Sequence, residues 1–229
     1  MTNGRAKDSF GAHFYSYVAE KNMERRLGRA LSADIEAKPF AWGKLGERRC
    51  FEVLSTEYEL VSNITLVHPT IHWWKGSPDS LKGKDVVGEI KCPWTLKAFC
   101  ELVDPYIKDG VIVHPALSIE AVLENHEHGA KYFWQIVSNG VLTGSKYGEL
   151  IIHMPYESEI EKIQAMAAPS ALNEEIFKWI YYASPSSLPY ILDGGHYKNL
   201  NKIKFEIKQE WVDSLTYRME EAGKLLVNV

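Results

Sequence analysis

The stretch GSPDSLKGKDVVGEIKCPWT, Gly76 to Thr95, constrains the fold of this chain most. Its apolar run, Val86 to Ile90, reads as a β-strand, and Cys92-Pro93 ends it because proline has no N–H for a ladder. Strand side chains alternate faces, so Glu89 and Lys91 project to one side while Ile90 points into a core. Asp79 sits in a tight turn after a proline, joined to the strand by a short Gly/Lys connector. Carboxylates on a buried strand need a balancing charge, since an isolated ionised group is costly to desolvate. Hard oxygen ligands select Mg²⁺ or Mn²⁺, and Mg²⁺ is usually held by one or two carboxylates plus water and substrate phosphates. Asp79 and Glu89 therefore suit a divalent ion at a phosphodiester site, with the Ile90 backbone carbonyl as a further ligand. Lys91 would orient the attacking water or help deprotonate it. Taken alone, the same residues also fit a turn former and a solvated strand edge.

Length and composition bound the rest. At 229 residues, with 45% hydrophobic and 24% charged residues, the chain is expected to form one globular domain, 1–229. A net charge of −4 is not that of a nonspecific nucleic-acid coat, although a local basic channel suffices to bring phosphate to an acidic metal site. The three cysteines, Cys50, Cys92 and Cys100, give no disulfide framework and point to a reducing, cytoplasmic setting. No apolar run reaches membrane-spanning length, and the N-terminus lacks a hydrophobic signal core, so no membrane association is expected.

Along the chain, apolar residues from Phe10 to Leu31 recur at helical spacing and predict an amphipathic helix from about Ser9. Its basic cluster, Lys21, Arg25, Arg26 and Arg29, reads as a solvated face rather than a DNA contact. A polar break at Ser32 to Pro39 precedes a second helix, Trp42 to about Glu57, with Leu45, Cys50, Phe51 and Leu54 inward and Glu47 near its start. Tyr58 to Val67 and Thr70 to Lys75, broken at His68-Pro69, read as a hairpin. His68 and His72 there read as strand residues, not ligands. Thr95 caps a short helix through Val103, and Ser118 to Asn125 forms another. His126-Glu127-His128 lacks helix-face spacing and reads as loop. Lys131 to Val141 is an apolar helix with Gln135 as its polar exception, whose amide must find partners. Tyr147 to His153 is a strand. Helical patterns then cover Glu157 to Ala168 and Asn173 to Tyr182, and Ser184 to Asn201 is a Pro/Gly/Ser-rich loop. Lys202 to Lys208 is a strand, and Glu210 to Leu226 a terminal amphipathic helix.

Three stretches together resemble a known family. AWGKLGE (Ala41 to Glu47), SPDS followed by EIKCPWT, and KYFWQIVSNGVLTGSKYGELIIHMP (Lys131 to Pro155) resemble the PD-(D/E)XK nuclease superfamily. More narrowly, they resemble the phage lambda exonuclease or YqaJ-type viral recombinase family. The resemblance implies an α/β fold with a central mixed sheet flanked by helices, and a site of Glu47, Asp79, Glu89, Lys91 and Gln135, with Tyr132 beside it. Asp79, Glu89, Glu47 and the Ile90 carbonyl would hold Mg²⁺, with Mn²⁺ as a substitute. It further implies 5′-to-3′ degradation of double-stranded DNA with a free end, a homotrimeric ring, and a single-strand annealing protein as partner. Cysteine count disfavours the iron–sulfur branch of the superfamily.

The resemblance spans Ala41 to Pro155, with an echo from Lys202 onward, and leaves 157–201 as an expected insertion. Ser80 stands where the family has glycine, which a type I turn accepts. RRLGRALS, Arg25 to Ser32, echoes the family's terminal-phosphate motif at a different distance from AWGK, so end recognition does not carry over. The alternatives are a restriction- or defence-type endonuclease of the same superfamily, and a noncatalytic DNA-binding protein on this fold.

Overall fold

A computed structural model describes residues 10–31, 38–61, 63–104, 106–108, 111–113, 118–169 and 175–226. The chain divides into two compact units, one of Met1–Ile35, Val67–Lys75 and Lys208–Val229, the other of Glu36–Leu66 and Gly76–Ile207. Ser32–Pro39, read from sequence as a break, lies outside the described residues from 32 to 37.

The first unit is built on two 16-residue helices, α1 (Ala12–Leu27) and the C-terminal Gln209–Lys224. Gly28 ends α1 in the left-handed region at φ 69°, where a side chain would be strained. The C-terminal helix is clasped by Trp73, whose Nε1–H donates to the Met219 carbonyl at 2.9 Å. A Cβ on Gly223 would come within 2.0 Å of that indole ring, so only glycine permits the approach. Arg25, Arg26 and Arg29 are exposed, in keeping with a solvated face. His68 accepts the Ile71 amide at Nδ1 over 3.1 Å and stacks on Trp74.

The second unit holds α2 (Lys38–Val53) and a five-stranded sheet in the order β1-β4-β5-β8-β9. These strands are β1 (Tyr58–Leu60), β4 (Ser80–Lys82), β5 (Val86–Lys91), β8 (Tyr147–His153) and β9 (Leu200–Glu206). Elsewhere along the chain are short ladders, β2 (Leu66–Val67) with β3 (Lys75–Gly76), and β6 (Tyr106–Lys108) with β7 (Val111–Val113). β5 and β8 are parallel and every other neighbour in the main sheet is antiparallel, which makes the sheet mixed as expected. The parallel pair is buried from both sides, in keeping with β8's apolar run LII.

Helices cover both faces. On one, α2 packs Cys50 and Leu54 against Ile90 and Ile151. On the other, α5 (Gly129–Thr143) is reached through α3 (Leu96–Val103) and α4 (Ile119–Asn125), and its Ile136 meets Gly148 of β8. Thr95 caps α3 as predicted, accepting the Ala98 amide, and Ser118 caps α4, accepting the Ala121 amide. Within 157–201, α6 (Ile160–Met166), α7 (Lys178–Tyr182) and Phe177 build an apolar cluster with Ala41, Trp42 and Leu45 of α2.

Two expectations need correction. The hairpin predicted over Tyr58–Lys75 shrinks to the two-residue β2–β3 ladder, while β1 pairs with β4 through Tyr58↔Lys82 and Leu60↔Ser80. That pairing buries Tyr58, whose hydroxyl donates to Glu149 at 2.6 Å, a satisfied contact that the local hairpin does not provide. The second helix begins at Lys38, not Trp42, because Pro39 sits in its first turn, where a missing N–H costs no helical bond.

Candidate active site

The site forms where the β4–β5 ladder stops. Ser80 pairs with Gly88, and continuing that register would set Pro78 opposite Ile90. Proline has no N–H to offer, so the ladder cannot continue there. Asp79 takes over instead, and its Oδ2 accepts the Ile90 amide at 2.7 Å. In a strand the N–H and C=O of one residue point to the same side. The Ile90 carbonyl therefore faces the Asp79 edge, across from a proline that cannot donate to it. Asp79 is anchored by its own carbonyl, which accepts the Val61 amide at 3.1 Å.

Strand alternation brings Glu89 and Lys91 to the α5 face, as predicted, and Lys91 Nζ donates to Glu89 Oε1. Glu89 is only 2% exposed. Ile90 turns the other way, into the α2 face with Cys50 and Leu54. Glu47 arrives from α2, which approaches β5 closely at Gly46: a Cβ there would lie 2.7 Å from Cys92 Cβ. AWGKLGE thus owes its second glycine to helix–strand contact one residue before the acid.

The three carboxyls share one electrostatic environment. Burial pushes Glu47 up to about 7, Asp79 adds to the rise, and Lys91, Lys44 and Arg48 oppose it. Burial likewise lifts Glu89 to about 7, against the pull of Lys91. Asp79 rises through burial, tempered by the Ile90 amide and Lys91. Burial works against the Lys91 charge, but Glu89, Asp79 and Glu47 outweigh it and raise the ammonium above its ordinary value. Three acids against one lysine leave uncompensated negative charge, which is the condition a divalent cation relieves. Among the described residues no three His, Cys, Asp or Glu side chains form a ready-made metal cluster. The donors that suit a hard cation are Asp79, Glu89 and the Ile90 carbonyl, with Glu47 within electrostatic reach.

From α5 come Tyr132, Gln135 and a residue the sequence reading passed over. Lys91 Nζ lies 5.2 Å from the centre of the Tyr132 ring, a cation–π contact. Gln135 is half-buried on the same helix, and its side-chain amide makes no hydrogen bond among the described residues. Asn139, one turn further on, reaches the site instead, with its Nδ2 3.4 Å from Glu89 Oε2. The signal existed: Tyr132, Gln135 and Asn139 follow the i, i+3, i+7 spacing of one helix face. The His126–His128 segment is a turn in which Nδ1 of His126 accepts the His128 amide at 3.0 Å.

No protein-family model matches the chain, and no curated protein matches it. Among solved structures it is similar to a phage-related exonuclease from Haemophilus somnus 129PT, at 10% identity and a TM-score of 0.60, over 98% of this chain and 87% of that one. It is also similar to LHK-Exo in complex with dAMP, at 16% identity and a TM-score of 0.53, over 94% and 80% of the two chains. LHK-Exo is an alkaline exonuclease from Laribacter hongkongensis. At these identities the likeness is one of fold. The chain shares with them a fold in which a central mixed sheet is flanked by helices.

Proposed function

We propose that the protein is a Mg²⁺-dependent DNA exonuclease acting on the ends of double-stranded DNA. The observation that carries the reading is the Asp79–Ile90 clasp at the interrupted ladder, with Glu89, Lys91 and Glu47 around it. Asp79, Glu89, Glu47 and the Ile90 carbonyl would hold the metal. When bound, Mg²⁺ supplies Lewis acidity and neutralises charge developing on the scissile phosphate. The chain's own groups do the rest. Lys91, kept protonated by its acidic neighbours, orients the attacking water and donates toward the phosphate. Tyr132 holds the lysine from its ring face, and Gln135, with a side-chain amide not engaged among the described residues, would bond a phosphate oxygen.

The likeness in fold to two exonucleases supports end-dependent action, and the motif resemblance implies 5′-to-3′ polarity, a homotrimeric ring and a single-strand annealing protein as partner. The free thiols of Cys50, Cys92 and Cys100 support work in a reducing cytoplasm. Among the described residues no helix is long and apolar enough to cross a membrane.

The test is digestion of linear duplexes with 5′-phosphate, 5′-hydroxyl or blocked ends, beside covalently closed circles, with and without Mg²⁺. Degradation of open linear DNA only, and only with metal, is expected. Cutting of closed circles would move the assignment to an endonuclease on the same fold. No cleavage of any substrate would leave a DNA-binding protein.

A further inference from the structure

Of the residues α5 buries, Asn139 is the polar side chain, only 3% exposed amid Phe133, Ile136 and Val137. A leucine, branched at the same carbon, would sit there without the cost of burying an amide. What Asn139 gains is placement. Its Nδ2 stands 3.4 Å from Glu89 Oε2, while Lys91 donates to the other oxygen of the same carboxylate. Its Oδ1 lies against the backbone of Gly76, so closely that a Cβ on that glycine would sit 2.5 Å from the oxygen and 2.7 Å from Leu142 Cδ1. Real Cβ atoms do not approach so near, so Gly76 is the space the amide needs. The Asn139 backbone is fixed as well, its carbonyl accepting Thr143 Oγ1 at 2.8 Å.

We propose that Asn139, seated by Gly76, is a positioning residue that fixes the Glu89 carboxylate toward the divalent ion. The inference rests on the reading of Glu89 as a metal ligand. With one oxygen held by Lys91 and the other by Asn139, the carboxylate has a single orientation. Outer partners of this kind tune metal affinity by about 10- to 100-fold. Gly76, the first residue of the signature stretch, thereby gains a role in the site without touching it.

Calorimetric titration of Mn²⁺ into wild type, Asn139→Leu, Gly76→Ala, their double variant and Asp79→Ala tests this, with thermal melting alongside. Asn139→Leu and Gly76→Ala should each weaken Mn²⁺ binding by about 10-fold or more. The double variant should bind no more weakly than the weaker-binding single, because both changes act through one amide. Asp79→Ala should abolish binding, which bears on the metal reading itself. Lowered melting temperature with unchanged Mn²⁺ affinity in both single variants would show a merely structural amide and overturn the positioning role alone. A wild type that binds no Mn²⁺ would overturn the metal reading, and this inference with it. If Asn139→Leu does not fold, Gly76→Ala keeps the amide and only displaces it, so it carries the same expectation.

Discussion

Helices α1 and α2 are both 16 residues long, and they are held in opposite ways. α1 buries only Phe14 and Val18. Local contacts help order it, Phe10 stacking on Phe14 with centroids 3.9 Å apart, Lys21 pairing with Glu24 and Gly28 closing the end, and Asn22 donates to the Leu225 carbonyl within the same unit. α2 buries Ala41, Trp42, Leu45, Gly46 and Cys50, although it carries two interior glycines that each cost about 1 kcal/mol relative to alanine. What α2 touches outweighs what its sequence prefers. The helix with the poorer intrinsic propensity is the one that supplies Glu47, which places the chemistry where tertiary contact does the holding.

The largest expected effect separates the helices by activity. Glu47→Ala should lower cleavage of linear duplex by about 10²- to 10³-fold, the usual cost of one charge-stabilising group, whereas Arg26→Ala on α1 should change it less than about 2-fold, within the small effect of a surface substitution. Comparable losses would erase the distinction and put α1 on the substrate.

Acid comes next. His153, packed in α2's unit, is fully buried, with neither ring nitrogen hydrogen-bonded among the described residues. Burial lowers its pKa to about 4. Above pH 6.5 both folded and unfolded forms are neutral and the group has no pH effect. As pH falls from 6.5 toward 4 the unfolded chain takes up the proton first, so the His153 contribution drops by about 3 kcal/mol. Glu47 and Glu89, raised to about 7, gain stability over the same range, so the loss is read as a difference. Urea unfolding should show wild type losing about that much relative to His153→Leu between pH 6.5 and 4, and a constant difference would contradict the assignment.

Smaller effects test packing within α2 and then α1. Gly46→Val should destabilise by about 1–3 kcal/mol through the clash with Cys92. Gly43→Ala, with open space around its Cβ, should stabilise by about 0.5–1 kcal/mol. Urea unfolding that gave both the same sign would deny that Gly46 is a contact residue. Last, Leu27→Ala on α1, 58% exposed, should shift the midpoint by less than about 0.5 kcal/mol. A larger shift would show that α1 is covered in solution.

Much of the site was legible because its signals are local. Alternation in VVGEIK placed Glu89, Ile90 and Lys91 on their faces, and the proline in SPDS placed Asp79 at a strand boundary. What sequence hid was long-range. The β1–β4 pairing depends on Tyr58 finding Glu149, 91 residues away. Asn139 read as one more position in an apolar helix, since its value lies in Glu89 and Gly76, which only the fold brings to it. Pro39 read as a break because proline ends helices more visibly than it begins them. Tyr15, Met23 and Leu27 gave a sound helix signal and a poor burial signal, for all three are exposed.

The proline opposite Ile90 has a wider implication. Two more rungs of antiparallel pairing would make the sheet sturdier and take the Ile90 amide away from Asp79. On the proposed function, reactivity is purchased with robustness: a lineage selected only for heat tolerance would tend to zip that edge shut, and its descendants would keep the architecture while losing the proposed reaction.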